Sequence, residues 1–436
     1  MANYDLVIIG AGWAGFNAAV TARDYGLKVC LIDQGHLGGT CLNYGCIPTK
    51  ALLQSAKVYN LSRKSRVFGI EISDIKINFA DIQARKEKLI QQLRQGMQFL
   101  LKGIDFINGK AEILSCNTIK VEDRQITTRF ILIASGSKPI ELQNLRFDRK
   151  RVISSDEVLN LKEIPKSFLI VGGGVIGCEF ACLFSILGAK ITIIEKMPQI
   201  LPGEDRELAK RLENIFRKKG IDVFTNTDVY NFDIQGYDLI LVCVGRMPNT
   251  DGLGLEGVGV ATEKNKILID AYLRTNIPNI YAAGDCTAKI MLAHFAAYQG
   301  CQAVENIVHP DRPKKSSESN IPNCIFTEPE VASVGLREDE AKAKGIQIRL
   351  HKFDFLGAGM ARISDETEGF IKIISEANSG EILGASIIGP KATELIGILT
   401  LAVNCKIKTC QLKDTVFAHP TLSESINLAL SKDYGI

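Results

Sequence analysis

The sequence lacks a bias toward either sign of charge. Among its 436 residues, 52 are Lys or Arg and 49 are Asp or Glu, which gives a formal net charge of +3. A protein that binds nucleic acid carries a clear excess of basic side chains, usually on one face. The near balance of charge therefore argues against nucleic acid as a partner.

The N-terminus, MANYDLVIIGAG, lacks the basic region and cleavage site of a signal peptide and the Arg-rich pattern of a transit peptide. We expect a cytoplasmic protein. One long apolar run, residues 168–194, contains three consecutive glycines after a short β-type stretch, and these interrupt any membrane-spanning helix. The sequence therefore predicts no association with a membrane.

Histidine is scarce, with five in the chain, and the twelve cysteines are spread thinly. Most cysteines lie within apolar runs, where cysteine packs as a small hydrophobic residue, so a disulfide scaffold is not indicated. Examples are Cys30, Cys178, Cys182 and Cys243. Cys41 and Cys46 differ, because they lie close together in GGTCLNYGCIPTK, residues 38–50.

This cysteine pair has three interpretations: a metal site, inert packing and a redox pair. Zinc requires four ligands at recognisable spacing, and the segment around the pair does not supply them, which disfavours a metal. The segment that follows, PTKALLQSAKVYNL, is predicted to be an amphipathic helix. Because a cysteine near a helix start has a lowered thiol pKa, we favour the redox pair. We predict no metal.

Two segments, residues 4–33 and 167–195, share a strand, turn, helix, strand pattern with G-x-G-x-x-G in the first turn. The first glycine permits the bend, the second lets the backbone approach a pyrophosphate, and the third lets the helix pack on the strand. The N-terminus of the helix supplies free backbone N–H groups and a positive dipole end, which bind the phosphates of the dinucleotide. Two dinucleotide sites are therefore predicted, with Gly10, Gly12 and Gly15 in one turn and Gly172, Gly174 and Gly177 in the other.

An acidic residue closes each unit, Asp33 in the first and Glu195 in the second. Each is placed to accept hydrogen bonds from the hydroxyls of an adenosine ribose. A carboxylate at Glu195 repels the 2′-phosphate of NADP, so the second site is predicted to favour NAD. Lys196 follows directly, which leaves a relaxed preference open.

The C-terminal part of the chain has a different pattern. Strand-like runs EGFIKIIS and EILGASIIG precede an amphipathic helix, KATELIGILTLAVN, which indicates an α+β layer. A chain of this length forms several domains. We predict an α/β fold with two Rossmann-like dinucleotide-binding domains and a C-terminal α+β domain.

The segment GGTCLNYGCIPTKALL resembles the redox motif of the flavin-dependent pyridine nucleotide-disulfide oxidoreductases, class I. Other segments resemble the same family: ILIASGSKP, VGRMPN, NIYAAGDCT, MLAHFAAYQG, FTEPEVASVGLREDEAKAKG and HPTLSE. The resemblance implies an oxidoreductase with FAD and NAD as cofactors, a redox-active disulfide between Cys41 and Cys46, and a homodimer formed through the C-terminal domain. The motifs are most similar to those of family members that oxidise dihydrolipoyl groups.

The resemblance also assigns further cofactor-binding residues. Asp285 is expected to hold the flavin ribityl chain, and Lys50 is expected to lie beside the flavin and to pair with Glu179. The additional residues assigned to FAD are Gly39, Thr40, Lys50, Ser135, Gly136, Asp285, Met291, Leu292, Ala293 and His294. The residues added to the NAD site are Glu179 and Gly245.

The catalytic acid/base is also assigned through the resemblance. In relatives, a histidine paired with a glutamate five residues later reaches the cysteine pair across the subunit interface, and His419 and Glu424 match that pattern. His419 is expected to take a proton from the dithiol substrate, whose sulfur then attacks Cys41. Cys46, expected nearer the flavin, then delivers the electrons to FAD, which reduces NAD.

Four features depart from the family pattern. The segment between Asp228 and Asp238 is shorter than the meander of relatives, and Asp33 replaces a commoner glutamate. Trp13 occupies a loop position usually held by a smaller residue. Phe417 stands where many lipoyl enzymes have a second histidine, which weakens the assignment of a lipoyl substrate.

The motifs predict an FAD-binding domain at 1–143 and 266–315, an NAD-binding domain at 144–265 and an interface domain at 316–436.

The expected partner is a lipoyl-bearing carrier domain or protein of a 2-oxoacid dehydrogenase or glycine-cleavage complex, on a separate chain. The alternative is a glutathione-reductase-like NAD(P)H-dependent reductase of a low-molecular-weight disulfide. Glu195 and GCIPTK, rather than GCVPKK, argue against it. The chain also lacks the C-terminal cysteine pair of mercuric reductases. A non-catalytic flavoprotein is disfavoured because the cysteine pair and His419 are present.

Overall fold

The computed structural model describes residues 3–431 and 433–434, so the outermost ends of the first and last predicted domains lie outside the described residues. The strands are β1 (Tyr4–Ile9), β2 (Val29–Asp33), β3 (Asp105–Asn108), β4 (Ala111–Ser115), β5 (Thr118–Val121), β6 (Arg124–Ile133), β7 (Ser137–Pro139), β8 (Val152–Ile153), β9 (Ser167–Val171), β10 (Lys190–Ile194), β11 (Asp222–Phe224), β12 (Leu239–Val242), β13 (Arg246–Pro248), β14 (Thr262–Glu263), β15 (Lys266–Ile267), β16 (Ile280–Ala282), β17 (Asn323–Ile325), β18 (Glu330–Gly335), β19 (Ile348–Asp354), β20 (Phe370–Glu376), β21 (Ile382–Gly389) and β22 (Asp433–Tyr434). The α-helices are α1 (Trp13–Asp24), α2 (Gly39–Tyr44), α3 (Cys46–Arg63), α4 (Phe79–Leu100), α5 (Val175–Ile186), α6 (Arg206–Lys218), α7 (Ala293–Val308), α8 (Glu338–Ala343), α9 (Gly359–Ile363), α10 (Ala392–Asn404), α11 (Thr409–Lys413) and α12 (Glu424–Leu430).

The first sheet has the strand order β3-β2-β1-β6-β5-β4, and β16 also pairs with β6. Its central strands β3, β2, β1, β6 and β16 run parallel, and the apolar side chains of β1 and the end of β6 are buried on both faces. Because the carboxyl ends of parallel strands meet at one edge, the residues after β1, β2, β6 and β16 lie together.

The second sheet is parallel throughout, with the order β11-β10-β9-β12-β8. Helix α5 is apolar almost all round, and it is buried between this sheet and α3 of the first unit. The apolar run that includes α5 is therefore a strand, a turn, a buried helix and a strand, as the glycines predicted. Within the described residues, every helix is too short or too polar to cross a membrane.

The third sheet is antiparallel, with the order β17-β18-β21-β20-β19-β22, and α10 and α12 pack on it. Strands β20 and β21 and helix α10 lie where the sequence pattern predicted them. Two parallel nucleotide-binding sheets and this α+β layer together confirm the predicted fold class.

A buried ion pair joins the second and third sheets. The Nζ of Lys372 on β20 lies 2.7 Å from Oδ2 of Asp205, and both side chains are 4% exposed. Asp205 also caps the N-terminus of α6, where its Oδ1 accepts hydrogen bonds from the backbone N–H groups of Glu207 and Leu208. The pair therefore holds the start of α6 against the interface sheet.

Replacing Lys372 by Met should lower the free energy of unfolding by about 3 kcal/mol, because the substitution leaves the buried Asp205 carboxylate without its cation. The matched control is Lys352→Met on the neighbouring strand. Lys352 pairs with Glu207 at 31% side-chain exposure, and its loss should cost less than about 1 kcal/mol. Chemical denaturation of both variants measures the difference, and equal destabilisation would contradict the assignment.

Candidate active site

The two cysteines of the predicted redox pair lie on consecutive helices. Cys41 is in the short helix α2, and Cys46 is the first residue of the 18-residue helix α3. Gly45 lies between them with φ −148° and ψ −109°, which ends α2 and starts α3. Cys46 therefore lies at the positive end of a long helix, where a thiolate is stabilised.

A residue that the sequence analysis missed holds this segment in place. Asn43, between the cysteines, is 8% exposed, and its Nδ2 donates hydrogen bonds to the carbonyls of Leu37 at 3.1 Å and Gly39 at 2.8 Å. Its Oδ1 accepts a hydrogen bond of 2.5 Å from Arg94 on α4. These bonds fix α2 against the turn that follows β2.

The two thiols differ in acidity. A hydrogen bond donated by Cys41 lowers the pKa of Cys46 to about 7, and the charge of Lys50 acts in the same direction against burial and the charge of Glu179. The same hydrogen bond, together with burial, raises the pKa of Cys41. In the reduced pair, Cys41 therefore keeps its proton and Cys46 is the thiolate near neutral pH.

Lys50 lies one turn after Cys46 on α3, and its Nζ is 2.8 Å from both carboxylate oxygens of Glu179 on α5. Glu179 is 3% exposed and also accepts a hydrogen bond of 2.9 Å from the backbone N–H of Phe326. The same ammonium group lies 4.7 Å from the centre of the Phe326 ring. The structure thus joins Lys50 and Glu179 as predicted, and this pair links the first two sheets.

Lys50→Met should raise the pKa of Cys46 from about 7 toward the value of a free thiol, near about 8.5, because a positive charge beside the thiolate is lost. The pH dependence of Cys46 alkylation in the reduced protein measures this change. Lys50→Arg is the matched control, since it keeps the charge and should leave the midpoint close to 7. A midpoint unchanged in Lys50→Met would contradict the electrostatic role of Lys50.

The first glycine turn has the geometry of a dinucleotide site. Asp33 at the end of β2 accepts a hydrogen bond of 2.6 Å from the backbone N–H of Ala11 and another of 2.6 Å from that of Gly35. A Cβ on Gly12 would meet nothing closer than 3.9 Å, and one on Gly136 would meet nothing within 4 Å. The backbone at both glycines is therefore open to a ligand.

Two cavities extend from this turn. One, of about 240 Å³, reaches Asp33, and the other, of about 400 Å³, reaches both cysteines. Among the residues predicted for FAD, those that line one or both cavities are Gly10, Gly12, Asp33, Gly39, Thr40, Lys50, Ser135, Gly136, Asp285, Met291, Leu292 and Ala293. The Ser135 hydroxyl is buried and has no hydrogen-bond partner among the described residues. These observations fit an extended polar ligand such as FAD.

Two predicted residues serve packing. A Cβ on Gly15 would lie 1.8 Å from the Gly10 carbonyl oxygen, so Gly15 permits α1 to approach β1. The Nε2 of His294 lies 3.0 Å from the Pro322 carbonyl oxygen, and burial lowers the pKa of this imidazole. His294 therefore contacts the segment that leads into the interface domain.

Asp285 belongs to a buried chain of hydrogen bonds that the sequence analysis only partly found. Ser137 donates a hydrogen bond of 2.6 Å to its Oδ2, and Arg246 donates bonds of 2.8 Å to the hydroxyl and carbonyl oxygens of Ser137. Burial raises the pKa of Asp285 and lowers that of Arg246. A basic residue at the end of the apolar strand segment VCVGR was the available signal for Arg246.

The second glycine turn repeats the first. Glu195 accepts hydrogen bonds of 2.7 Å from the backbone N–H groups of Gly173 and Met197, which matches the bonds of Asp33. Gly172 has φ +113° and Gly245 has φ +132°, both in the region that favours glycine. A Cβ on Gly174 would meet nothing within 4 Å, so its backbone is open to a pyrophosphate, as the NAD site requires.

Gly174→Ala should leave the fold intact and weaken NAD binding about tenfold or more, because the added methyl group occupies the space of the pyrophosphate. Gly177→Ala should instead destabilise the second sheet by about 3 kcal/mol, because its Cβ would lie 2.0 Å from the Gly172 carbonyl oxygen. Calorimetric NAD titration and thermal unfolding separate the two effects. Normal NAD affinity in Gly174→Ala would contradict the assignment.

The predicted acid/base pair lies in the interface domain. The Nδ1 of His419 is 2.8 Å from Oε2 of Glu424 at the start of α12, and the His419 side chain is 77% exposed. Neither residue is among those that line the cavity of Cys41 and Cys46. Within one protomer, the structure therefore forms the pair and does not bring it to the cysteines.

Residues 4–300 match the family model described as pyridine nucleotide-disulphide oxidoreductase, and residues 321–430 match the model of its dimerisation domain. The chain belongs to the pyridine nucleotide-disulphide oxidoreductase family, which confirms the resemblance. It is a flavin-dependent disulfide oxidoreductase with FAD and NAD as cofactors, and it carries the dimerisation domain of the family.

The chain is 39% identical to a dihydrolipoyl dehydrogenase of Bacillus subtilis (strain 168), with 99% of each chain covered. It is 40% identical to a dihydrolipoyl dehydrogenase of Chlamydia muridarum, with 97% of this chain and 95% of that protein covered. Its structure is similar to that of the HOCl-induced flavoprotein disulfide reductase RclA from Escherichia coli, with a TM-score of 0.89, 30% identity, and 98% and 99% of the two chains covered.

Proposed function

We propose that this enzyme oxidises dihydrolipoyl groups on a carrier domain or protein and reduces NAD, through the Cys41–Cys46 disulfide and bound FAD. The observation that carries the proposal is the placement of the two thiols, with Cys46 at the start of α3, one turn before Lys50, and Cys41 in the same cavity. Cys46 is the better leaving thiolate, with a pKa of about 7, and the pKa of Cys41 is raised. A dithiol that attacks Cys41 expels the thiolate that the site stabilises best. Relatives named dihydrolipoyl dehydrogenase over nearly the full length support the substrate class.

The residues of this chain account for the thiol chemistry. Glu424 accepts a hydrogen bond from Nδ1 of His419, which leaves Nε2 free to take a proton from the substrate dithiol. The substrate thiolate attacks Sγ of Cys41, the Cys41–Cys46 bond breaks, and Cys46 leaves as a thiolate beside Lys50. The residues that line the two cavities, among them Gly12, Thr40 and Asp285, would hold FAD, which would supply two-electron transfer between the dithiol and NAD.

The remaining assignments complete the proposal. The site residues are those predicted from the sequence, with Glu179 in the pair with Lys50 as well as beside the NAD site. The domains divide at 1–143 and 266–315, 144–265, and 316–436, which the pairing of β16 with β6 supports. We place the enzyme in the cytoplasm, since most of its twelve cysteines lie within apolar runs and pack as small hydrophobic residues.

We assign the carrier to a 2-oxoacid dehydrogenase or glycine-cleavage complex. The enzyme acts as a homodimer in which His419 of the partner subunit serves each cysteine pair. The exposure of His419 and its position on the dimerisation domain support this arrangement.

A matched pair of anaerobic assays tests the substrate. Dihydrolipoamide with NAD should be turned over at least about a hundredfold faster, as kcat/KM, than glutathione disulfide with NADPH, because Glu195 repels the NADP phosphate. Flavin and nicotinamide absorbance are followed together. A preference for the second pair would favour the alternative, an NAD(P)H-dependent reductase of a low-molecular-weight disulfide, which the similarity to a flavoprotein disulfide reductase keeps as a second candidate.

Mixed dimers test the contribution of His419 across the interface. Cys46→Ser and His419→Gln homodimers should each lose about a hundredfold or more of the dihydrolipoamide activity. Coexpression with two different tags yields dimers with one chain of each kind. These should regain about half the wild-type activity, because one intact cysteine pair then meets one intact imidazole. Mixed dimers as inactive as the parents would indicate that His419 acts within its own chain.

A further inference from the structure

The chain contains a single tryptophan, and it lies at the redox pair. Trp13 is the first residue of α1, directly after Gly12 in the first glycine turn, and it lines the same cavity as Cys41 and Cys46. Its backbone is held by a hydrogen bond of 2.7 Å from Nδ2 of Asn17 to the Trp13 carbonyl oxygen. The backbone of Trp13 is therefore fixed at the start of α1.

The indole N–H of Trp13 is buried and has no hydrogen-bond partner among the described residues. A buried donor is nearly always satisfied, and an orphan donor therefore needs an explanation. The neighbouring group is the sulfur of Cys41, whose pKa is lowered by Trp13 and by Lys50 against the stronger effects of the Cys46 hydrogen bond and burial. The donor thus lies in the same cavity as a sulfur that keeps its proton while Cys46 is the thiolate.

The chemistry of sulfur gives this donor a strong partner in one protonation state of Cys41. A neutral thiol is a weak acceptor, and a thiolate is a strong, charge-assisted one. With Cys46 as the thiolate, Cys41 carries the proton, and the indole gains little from the contact. Once Cys41 becomes the thiolate, the same N–H gains a strong acceptor within its own cavity.

We propose that the Trp13 indole N–H stabilises the Cys41 thiolate at the step in which Cys41 leaves the substrate. This role rests on the proposed function. In the mixed disulfide between the substrate and Cys41, the second substrate thiolate attacks the substrate sulfur. A new S–S bond closes the cyclic disulfide, the bond to Cys41 breaks, and Cys41 departs with the electron pair. A leaving thiol of lower pKa departs faster.

The site thus stabilises its two thiolates by separate means. Cys46 lies at the start of α3 and depends on Lys50 and the Cys41 thiol. Cys41 lies on α2 and depends on the donor from α1. The other charged groups that line the cavity are Glu179 on α5, Arg246 on β13 and Asp285 after β16. These three residues are left unchanged in every comparison below. A change in the Cys41 midpoint that accompanies the substitution of Trp13 is therefore caused by Trp13.

Thiol titration in the FAD-loaded enzyme tests the proposal. In a Cys46→Ser background, Cys41 is the remaining thiol of the pair, and its alkylation by iodoacetamide is followed by peptide mass spectrometry as a function of pH. Adding Trp13→Phe should raise the midpoint by about one pH unit, since a donor to the charged form is lost. Superimposable profiles would overturn the proposal.

Two controls distinguish the effect of losing the N–H donor from the effect of altered packing. In a Cys41→Ser background, Trp13→Phe should leave the Cys46 profile unchanged, because Lys50 and the helix start determine it. Because Trp13 is the single tryptophan, biosynthetic incorporation of 3-benzothienylalanine replaces that position alone and exchanges the N–H for sulfur at nearly the same shape. It should reproduce the shift of Trp13→Phe, and a wild-type midpoint would assign the effect to packing and overturn the proposal.

The titration needs no dithiol substrate, so its outcome is independent of the substrate assays above. If dihydrolipoamide is not turned over and the Cys41 midpoint still shifts, the proposed substrate is wrong and the donor role of Trp13 stands. If turnover is normal and the midpoint does not shift, the donor role is wrong. FAD content per chain and thermal unfolding confirm that each variant is folded.

Discussion

The structure depends on one electrostatic constraint, the need to keep a sulfur anion inside a protein. A buried thiolate at Cys46 requires positive charge and donors close by, and the start of α3, the Cys41 thiol and Lys50 supply them. Lys50 is itself kept in place by the buried carboxylate of Glu179. Since Lys50 belongs to the first unit and Glu179 to the second, the same pair that stabilises the thiolate also sets the two nucleotide-binding sheets against each other.

The two nucleotide sites show how one local solution is used twice. In both, an acidic residue at the end of the second strand accepts two backbone N–H groups, one from the glycine turn and one from two residues beyond itself. These bonds hold the turn open before any ligand arrives, so little ordering cost remains at binding. The cysteine pair lies in the cavity that extends from the first turn, and α5 of the second turn carries Glu179. The packing of the two units thus places residues of both around the cysteine pair.

Acid/base chemistry is separated from thiol chemistry in the same molecule. The first unit holds the redox cysteines, and the interface domain presents an imidazole already oriented by Glu424 and largely exposed. Because of this division, the oriented imidazole of one chain is exposed to solvent and does not react until a second protein surface covers it. The buried pair of Lys372 and Asp205 fixes the domain that carries this imidazole against the nucleotide-binding units.

The sequence by itself determined the fold class, both glycine turns and the cysteine pair, because each is encoded by local spacing or by a short motif. The pairs Lys50–Glu179 and His419–Glu424 came from the resemblance to the family, and the structure joins both. Only the tertiary structure decided that Asn43 meets Arg94 and that Ser137 links Arg246 to Asp285, since these partners lie far apart in the chain. The same holds for Trp13, which the sequence marked as unusual at its position. What the indole does depends on a sulfur 28 residues later, which α2 brings beside α1.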